Sequence, residues 1–396
     1  MNILIADKLS PVTIKALEDL GGRVTMNPEL TADVLPSVMG DHEILIVRST
    51  KVTAKTIEAA PSLSLIIRAG AGVNTIDLGT ASAKGIHVAN CPGKNTDAVA
   101  ELAIGLLIAA DRRIADATAD LRAGAWKKKE YGKARGLKGR TLGIIGLGNI
   151  GRAVAQRAKG LEMNVIAWSL GFTPEMAKEL GIGFCESAEA VAEQADAVTI
   201  HVAAVAETEH LCNERFFAKM KDGAIFINTS RGEVVDTKAL KAAILGKGLR
   251  VGLDVFENEP AATAHEFNDQ ELAQRVTGTP HIGASTDQAS EAIADGVVDI
   301  VKSYKMTGKP INAVNIREKT SAVISLVVRH HNRVGVLAGV LDALREDGIN
   351  IEEMENTIFE GGKTASCTLL LDDEPTDETM KKIKSSDHII QVMLKK

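Results

Sequence analysis

The chain has 396 residues, of which 45% are hydrophobic and 25% charged, a composition typical of a globular protein with two or three domains. Its net charge of −6 argues against a general binder of nucleic acid or of anionic membranes, because both need a basic excess. The longest apolar run, residues 102–110, covers about half of the ~20 residues of a membrane span, and the first residues show a strand pattern instead of a signal peptide. The scattered cysteines lack metal-ligand spacing, which predicts free thiols in a reducing cytoplasm and no metal site.

Residues 1–90 alternate short apolar runs with amphipathic segments. The runs, each a predicted strand, are 3–5, 44–47, 65–67 and 86–88. This alternation predicts a parallel sheet with helices on both faces. Just after the third run come Gly70, Ala71 and Gly72, at the sheet edge where open α/β sheets bind ligands. The backbone N–H groups at these glycines either hold a carboxylate or belong to a plain loop.

A long helix is predicted over residues 96–112, and the segment 122–138 that follows is basic. A charge run of this kind is usually a solvated face. A second series of alternating strands and helices then runs from 141 to about 279, with strands predicted near 142–145, 165–168, 197–202, 224–228 and 249–253. Residues 284–311 are predicted to be mainly one helix.

The first strand-to-helix turn of the second series carries Gly146, Gly148 and Gly151 in the pattern G-x-G-x-x-G, with Asn149 and Ile150 inside it. The first glycine permits a tight turn, the second lets backbone N–H groups approach a pyrophosphate, and the third lets the helix pack closely on the sheet. The pattern alone is also compatible with an ordinary tight turn. The strand before it and the helix after it favour a dinucleotide site.

The dinucleotide pattern departs from its usual form at Ser169, about 20 residues after the glycines. NAD-binding folds usually place Asp or Glu there, at the end of the second strand, to bind the ribose 2′-OH. A serine does not repel the 2′-phosphate of NADP, but no arginine follows it to bind that phosphate. The sequence therefore favours NAD and leaves NADP open.

Three polar residues, Arg231, Glu259 and His281, each follow an apolar strand of the second series. The carboxyl ends of parallel strands point into one crevice, so these side chains could meet beside a bound dinucleotide. A guanidinium can bind the carboxylate of a 2-oxo acid, an imidazolium can donate a proton to its oxygen, and a carboxylate keeps that imidazole oriented and protonated. Singly, each residue has a plain alternative as a surface cation, a loop carboxylate or a core histidine. Together, behind a dinucleotide motif, they predict hydride transfer to or from a small acid.

The last part of the chain has a different pattern, which begins after a polar stretch at 312–320. The predicted strands are 323–328, 350–359, 363–371 and 389–394, and the predicted helices are 334–346 and 377–384. This βαββαβ order is typical of a ferredoxin-like module. The module is too small and too polar to belong to the earlier sheets.

Residues 1–312 resemble the D-2-hydroxyacid dehydrogenase family. The resemblance rests on the motifs at 68–73, 146–151, 228–232, 254–260 and 279–286, which occur in the family's order. It implies that Arg231, Glu259 and His281 are the catalytic set, with His281 as proton donor and acceptor. It also implies an α/β fold with two doubly wound parallel sheets, formed by a flavodoxin-like substrate domain (1–95 and 284–312) and an inserted Rossmann domain (96–283). The helix from Thr96 would then build a homodimer, or part of a homotetramer.

The resemblance also assigns binding residues. The cofactor would be NAD, with NADP not excluded, and its contacts would be Gly146, Gly148, Asn149, Ile150, Gly151, Ser169 and Asp254. The substrate contacts would be Arg48, Arg68, Gly70, Ala71, Gly72 and Arg231.

The family's members that oxidise D-3-phosphoglycerate to 3-phosphooxypyruvate, for serine synthesis, carry extra cations for the terminal phosphate. Arg48, Arg68 and the lysines at 127–129 are the candidates here. One alternative is the same chemistry on another acid, such as glyoxylate or hydroxypyruvate. Alternatives of another class are a non-catalytic NAD-sensing protein and a plain amino-acid-binding regulator.

Residues 329–337 resemble the first loop of an ACT domain, a small amino-acid-binding module. Val334 stands where the ACT pattern usually has proline. The resemblance implies that His330, Asn332 and Asn350 bind L-serine as an effector. The alternative is that this module, residues 313–396 with its linker, only pairs subunits, while its polar groups cap its helix.

Overall fold

The computed structural model describes residues 1–260, 266–317 and 320–395. The chain divides into two compact units, residues 1–315 and 316–396. The first unit contains two separate sheets in which all strand pairs are parallel, and the second contains one antiparallel sheet. The predicted fold class is therefore confirmed.

The first sheet consists of five short strands: β1 (Asn2–Ile5), β2 (Arg23–Met26), β3 (Ile44–Val47), β4 (Leu65–Arg68) and β5 (His87–Asn90). Four helices connect them: α1 (Pro11–Asp19), α2 (Leu35–Val38), α3 (Ala54–Glu58) and α4 (Leu78–Ala83). The spatial order β2-β1-β3-β4-β5 is that of flavodoxin-like sheets. The central strand β3 is buried along its whole length, because a parallel sheet is covered on both faces.

The second sheet consists of seven strands: β6 (Thr141–Ile145), β7 (Asn164–Trp168), β8 (Gly183–Phe184), β9 (Ala197–Ile200), β10 (Ile225–Asn228), β11 (Arg250–Leu253) and β12 (Val276–Gly278). Its helices are α5 (Thr96–Arg112), α6 (Ile114–Arg122), α7 (Lys128–Tyr131), α8 (Asn149–Gly160), α9 (Pro174–Leu180), α10 (Ala188–Gln194), α11 (Glu214–Lys219), α12 (Thr237–Lys247) and α13 (Gln270–Ala273). The spatial order is β12-β11-β10-β9-β6-β7-β8. The order reverses at β6, which is the switch point of a Rossmann fold and carries the glycine motif.

Helix α14 (Asp287–Thr307) returns from the second sheet to the first. Its buried residues Ile293 and Val297 share one core with Ile3 and Ile5 of β1. Helix α5, by contrast, packs its buried side chains on the second sheet. This packing supports a discontinuous substrate domain; its boundaries at 95, 283 and 312 stay a prediction.

The C-terminal unit consists of β13 (Ile324–His331), α15 (Val336–Glu346), β14 (Ile351–Ile358), β15 (Thr364–Leu371), α16 (Asp377–Lys384) and β16 (Ile389–Lys395). Its strands pair in the order β14-β15-β13-β16, and every neighbour is antiparallel. Alternate residues of β13 and β15 are buried in one core with both helices. The ferredoxin-like prediction is therefore confirmed.

Three further sequence expectations concern the cysteines, the basic segment and membrane-spanning helices. The four cysteines are buried and free, as predicted. The basic segment that was interpreted as a solvated face contains the short helix α7, all of whose residues are at least partly exposed. Among the described residues, the structure has no helix that combines the length and apolar character needed to cross a membrane.

Candidate active site

The glycine motif lies where β6 ends and α8 begins. Gly146 has a φ of +94°, and a Cβ there would come within 2.5 Å of the carbonyl oxygen of His201. A Cβ at Gly151 would clash with the carbonyl oxygen of Gly146, so its absence lets α8 approach the turn. At Gly148, in contrast, no atom of the described residues, apart from its own chain neighbours, lies within 4 Å of the Cβ position. The space in front of the helix N-terminus is therefore open.

Free hydrogen-bond donors face this open space. The N–H groups of Leu147 and Gly148 have no acceptor in the described part of the chain. Gly148 is the N-cap of α8 and has no side chain to occupy the first N–H groups of the helix. Asn149 is exposed in the first turn, and Ile150 packs against the core beneath it. Unpaired N–H groups at a helix N-terminus fit the pyrophosphate of a dinucleotide.

Ser169 lies beside the glycine motif. Trp168, the last residue of β7, pairs with Ile145 and accepts a hydrogen bond from the N–H of Gly146 at 2.8 Å. Ser169 begins a turn in which its carbonyl accepts from the N–H of Phe172 at 3.1 Å. No acidic side chain belongs to this turn of residues 169–172, so nothing on it repels a 2′-phosphate.

His281 and Glu259 form a hydrogen-bonded pair. Nδ1 of His281 lies 2.8 Å from Oε2 of Glu259, whose other oxygen accepts from the N–H of Phe256 at 3.1 Å. The hydrogen bond to Glu259 raises the pKa of His281, against the opposing effects of burial and of Arg231. Burial disfavours the charged form of Glu259, but the bond to His281 helps outweigh it, so the pKa of this carboxyl is lowered. Nε2 of His281 makes no hydrogen bond to any described residue and is available to a substrate.

Asp254 holds the loop that carries His281. It is buried, and its carboxylate accepts hydrogen bonds from the hydroxyl of Thr279 at 2.6 Å and from the N–H groups of Ile282 and Gly283, both at 2.8 Å. Its carbonyl accepts from the N–H of His281 at 2.8 Å. His281 has a φ of +53°, a conformation that costs energy for a residue with a side chain and that recurs at functional sites. Because both carboxylate oxygens bond to this loop, a cofactor contact by Asp254 stays a prediction.

Arg231 lies between the catalytic pair and the first sheet. The side-chain amide of Asn228, the last residue of β10, donates to the carbonyl of Arg231 at 2.8 Å and so shapes the turn. Nη2 of Arg231 lies 2.6 Å from the position that a Cβ would take at Gly72, so this glycine makes room for the guanidinium. The charge of Arg231 opposes the rise in the pKa of His281 and, after burial, contributes to the lowered pKa of Arg68.

Arg68 and Arg48 bring further positive charge to the same edge. Nε of Arg68 donates to the carbonyl of Arg48 at 3.0 Å. Burial first, and then the charges of Arg231 and Arg48, lower the pKa of Arg68. The carboxylate of Asp7 accepts a hydrogen bond from the N–H of Arg48 at 2.7 Å and so fixes the backbone just after β3. The guanidinium of Arg48 makes no hydrogen bond within the described ranges, so the three arginines form a positive surface suited to anions.

The glycine loop after β4 offers fewer free donors than the sequence suggests. The N–H of Gly70 donates to the carbonyl of Arg68 at 2.8 Å and is therefore engaged. The N–H groups of Ala71 and Gly72 have no acceptor among the residues that the structure describes. A carboxylate at this loop would bind those two amides together with Arg231.

The lysines at 127–129 lie at the other end of the second sheet. Lys127 pairs with Asp120 at 3.0 Å, and Lys129 lines a cavity of about 770 Å³ together with Arg250, the first residue of β11. The catalytic residues follow the last residues of the strands, at the opposite edge. Within one chain, the lysines therefore do not reach His281.

The three predicted serine ligands do not meet within one C-terminal unit. Nε2 of the buried His330 lies 3.2 Å from Oδ1 of Asn356, and the side chain of Asn332 donates to the carbonyl of Gly362 at 3.0 Å. Both groups lie where β13 ends and β15 begins. Asn350 directly precedes β14, whose first residue pairs with the last residue of β15. An eight-residue strand, about 24 Å long, separates Asn332 from Asn350.

Two histidines that the sequence analysis did not single out lie near the catalytic edge. His201 follows β9, with Nε2 2.9 Å from the hydroxyl of Thr199 and a buried Nδ1 that has no partner in the described ranges. Burial lowers the pKa of His201 to about 3, so it is neutral. His210 bonds through Nε2 to Oε1 of Glu257 at 2.7 Å. The strand predicted at 197–202 included His201, whereas β9 ends at Ile200; nothing local marks His210.

Comparisons with known proteins agree with the fold. Residues 104–283 match the family model described as D-isomer specific 2-hydroxyacid dehydrogenase, NAD binding domain, and residues 324–388 match the ACT domain. The D-3-phosphoglycerate dehydrogenase of Methanocaldococcus jannaschii is 40% identical over 318 residues, which are 80% of this chain and 60% of that relative. The chain thus spans about 60% of the length of this curated relative.

Two further proteins are matched over most or all of their own length. The hydroxypyruvate reductase of Thermotoga maritima is 42% identical over 282 residues, which are 70% of this chain and 89% of that enzyme. A crystal structure of a protein from Thermus thermophilus superposes with a TM-score of 0.71 at 32% identity, covering 79% of this chain and all of that one. The chain therefore belongs to the D-isomer specific 2-hydroxyacid dehydrogenase family, and residues 104–283 are its NAD-binding domain.

Proposed function

We propose that this chain oxidises D-3-phosphoglycerate to 3-phosphooxypyruvate, with NAD as the hydride acceptor. Two features support this proposal: the His281–Glu259 pair and the positive surface of Arg48, Arg68 and Arg231 beside it. The His281–Glu259 pair provides proton transfer, and the arginines provide positive charge for a substrate with two anionic groups. The similarity to the curated D-3-phosphoglycerate dehydrogenase, over 80% of this chain, agrees with both.

His281 would move the proton in this reaction. With Nδ1 held by Glu259, the unprotonated Nε2 accepts the proton of the substrate hydroxyl while the C2 hydrogen leaves as hydride and the C2–O bond becomes a carbonyl. In the reverse direction, the protonated imidazole donates to the carbonyl oxygen. Glu259 stabilises the imidazolium that forms in the oxidation, as the raised pKa of His281 indicates.

The substrate would be held at both ends. Its carboxylate would bind Arg231 and the free N–H groups of Ala71 and Gly72, which lie next to each other. Its phosphate would bind Arg48 and Arg68. The pKa of Arg68 is lowered first by burial and then by the charges of Arg231 and Arg48, and a dianion bound among the guanidiniums would offset their mutual repulsion. The three neighbouring arginines are the observation that carries the choice of a phosphorylated substrate.

The cofactor would be bound by the open N-terminus of α8, with Gly146, Gly148 and Gly151 shaping the turn, Asn149 and Ile150 in the first helical turn, and Ser169 beside the ribose. Bound NAD would supply the hydride acceptor. The match to the family's NAD-binding domain favours NAD, while the serine at position 169 leaves the 2′ position tolerant of NADP.

Initial rates on a panel of acids test this proposal. The purified chain would be assayed with NAD and with NADP, using D-3-phosphoglycerate, D-glycerate and glycolate, and the corresponding 2-oxo acids in reverse. We expect the highest kcat/KM for the phosphorylated pair with NAD. Equal or higher kcat/KM for the unphosphorylated acids would instead support a glyoxylate reductase or a hydroxypyruvate reductase, the second being the name of the Thermotoga maritima relative.

We also propose that the C-terminal unit binds a small amino acid such as L-serine and that the chain acts as a homodimer or homotetramer. The match to the ACT domain supports a ligand-binding unit. Because Asn332 and Asn350 lie at opposite ends of β15, a serine that contacts both would have to sit between two copies of the unit. Calorimetric titration with L-serine, with D-serine as control, tests binding; no heat with either enantiomer counts against it.

A further inference from the structure

The loop at residues 254–260 carries two glutamates, and each one bonds to a histidine from a different part of the chain. Glu259 bonds to His281 at 2.8 Å, as described above. Glu257, two residues earlier, bonds to His210 at 2.7 Å. The first pair belongs to the proposed reaction, whereas the second touches none of the residues assigned to substrate or cofactor. Its position in the same loop suggests a supporting role.

Glu257 ties three separate segments together. Its Oε1 bonds to Nε2 of His210, and its Oε2 accepts from the N–H of Thr237, the first residue of α12, at 3.0 Å. His210 in turn has a φ of +48°, and its N–H donates to the carbonyl of Glu233 at 3.0 Å. The carboxylate of Glu257 thus fixes its loop to two segments that are themselves anchored.

The same loop segment is coupled directly to the catalytic residues. Phe256 donates its N–H to Glu259, so a shift of Glu257 moves an anchor of the catalytic carboxylate. Gly232, which follows Arg231, packs so closely that a Cβ there would clash with the carbonyl group of Phe256 and with the nitrogen of Glu257. The backbone around Glu257 therefore contacts both the turn of Arg231 and the partner of His281.

We propose that Glu257 and His210 are positioning residues that hold Glu259 against His281, an inference that rests on the proposed function. Neither residue contacts the reacting atoms. They act by fixing the loop at residue 257, and so set the hydrogen bond that keeps the imidazole of His281 oriented. Loss of this anchor lets Glu259 retreat, which weakens the stabilisation of the imidazolium and lowers the rate of proton transfer.

When His210 is protonated, its positive charge strengthens the bond to the Glu257 carboxylate. The hydrogen bond to Glu257, and then the charges of Glu257, Asp236 and Glu209, raise the pKa of His210 above its usual value, against the opposing effect of burial. The stabilisation from the ion pair is therefore fully present below the ordinary pKa of histidine and is lost as the pH rises through the raised one. The hydrogen bond from Thr237 to Glu257 does not depend on that proton.

Substitutions at Glu257 in the full-length chain test this proposal. Glu257→Ala removes both anchors, whereas Glu257→Gln removes the charge and keeps an acceptor for the N–H of Thr237. The readouts are kcat, KM and the titration of the His281 imidazole by NMR of histidine-labelled protein, assigned with His281→Ala. Lys241→Gln is the matched control. Lys241 lies on α12, the helix that begins at Thr237, and forms a part-exposed ion pair with Asp269 at 2.8 Å.

We expect Glu257→Ala to lower kcat about tenfold with a nearly unchanged KM for the cofactor, and to lower the pKa of His281. Glu257→Gln should give smaller changes in the same direction, and Lys241→Gln none. If Glu257→Ala fails to fold, the Gln variant decides alone. A His281 titration that keeps its wild-type midpoint in a folded Glu257 variant overturns the proposal. An inactive wild-type chain would refute the proposed function, while the His281 titration would still test the positioning.

Discussion

The catalytic edge and the C-terminal unit assemble their polar residues in opposite ways. At the catalytic edge, Glu259 and His281 are 22 residues apart in sequence, yet they lie in hydrogen-bond contact. In the C-terminal unit, Asn332 and Asn350 are closer in sequence but lie at the two ends of an eight-residue strand. Separation along the chain is therefore a poor guide to which residues share a site.

The side of its strand on which each residue lies explains this difference. In the parallel second sheet, every strand ends at the same edge, and Glu259 and His281 each follow a strand, so they gather there. In the C-terminal unit, β13 and β14 both pair antiparallel with β15 and therefore run in the same direction. Asn332 follows β13 whereas Asn350 precedes β14, so the two asparagines lie at opposite ends of the sheet and do not meet within one copy of the unit.

At the catalytic edge, removal of the His281 imidazole should have the largest effect on turnover. We expect His281→Ala to lower kcat about 10³-fold in both directions, because no other described side chain can transfer the proton at that point. Stopped-flow or steady-state rates with D-3-phosphoglycerate measure the effect. His42→Ala is the control and should leave turnover unchanged. His42 precedes β3 and bonds to the carbonyl of Met39. Unchanged turnover in His281→Ala would remove the basis for the proposed chemistry.

The arginines of the first sheet should separate phosphorylated from unphosphorylated substrates. We expect Arg48→Gln to raise the KM for D-3-phosphoglycerate by about 10- to 100-fold, the effect of losing one charged hydrogen bond. The KM for glycolate, which has no phosphate, should change little. Arg112→Gln provides the comparison, because Arg112 lies beside the lysines at the far end of the second sheet. Equal losses on both substrates would mean that Arg48 does not bind the phosphate.

The pH dependence should report the state of His281. Because its pKa is raised, first by the hydrogen bond to Glu259, the protonated form that reduction needs persists to higher pH than for an ordinary histidine. Reduction should therefore be constant at low pH and fall as the pH rises through this pKa, while oxidation should rise over the same interval. Glu259→Gln removes the main cause of the shift, so both transitions should move to lower pH. Profiles of kcat/KM for the two directions measure this, and transitions that stay in place would exclude the pair as their origin.

The sequence allowed most of the fold to be predicted, because buried strands such as β3 and β4 are continuous apolar runs. The three strands it did not predict, β2, β8 and β12, all lie at sheet edges. They are short and at least partly exposed, so their residues carry no continuous apolar signal.

The proximity of Glu259 and His281 could be predicted because both follow strands of one parallel sheet. The bond between Glu257 and His210 could not, because it joins residues 47 positions apart through a turn in a left-handed backbone conformation. The hydrogen bonds from the His281 loop to the Asp254 carboxylate could not be predicted either. In a sequence, an aspartate that holds a loop looks the same as one that binds a cofactor.

Substitutions in the C-terminal unit should have the smallest effect on catalysis. They also test most directly whether its two asparagines share a site. Asn332→Ala and Asn350→Ala should each abolish serine binding and leave basal turnover unchanged, because neither residue belongs to the catalytic unit. Calorimetry and initial rates measure the two quantities. Asn356→Ala, which removes the partner of His330, should weaken binding less.

Mixing the two variants then distinguishes a shared site from a site within one chain. In a two-fold symmetric pair, each shared site takes Asn332 from one copy and Asn350 from the other. A hybrid of an Asn332→Ala copy and an Asn350→Ala copy therefore has one intact site and one site that lacks both asparagines. Refolded or exchanged mixtures should regain about a quarter of the wild-type binding capacity, since roughly half of the pairs are hybrids and each hybrid has one of two sites. A site within one chain cannot be restored by mixing, because every copy would keep its own defect.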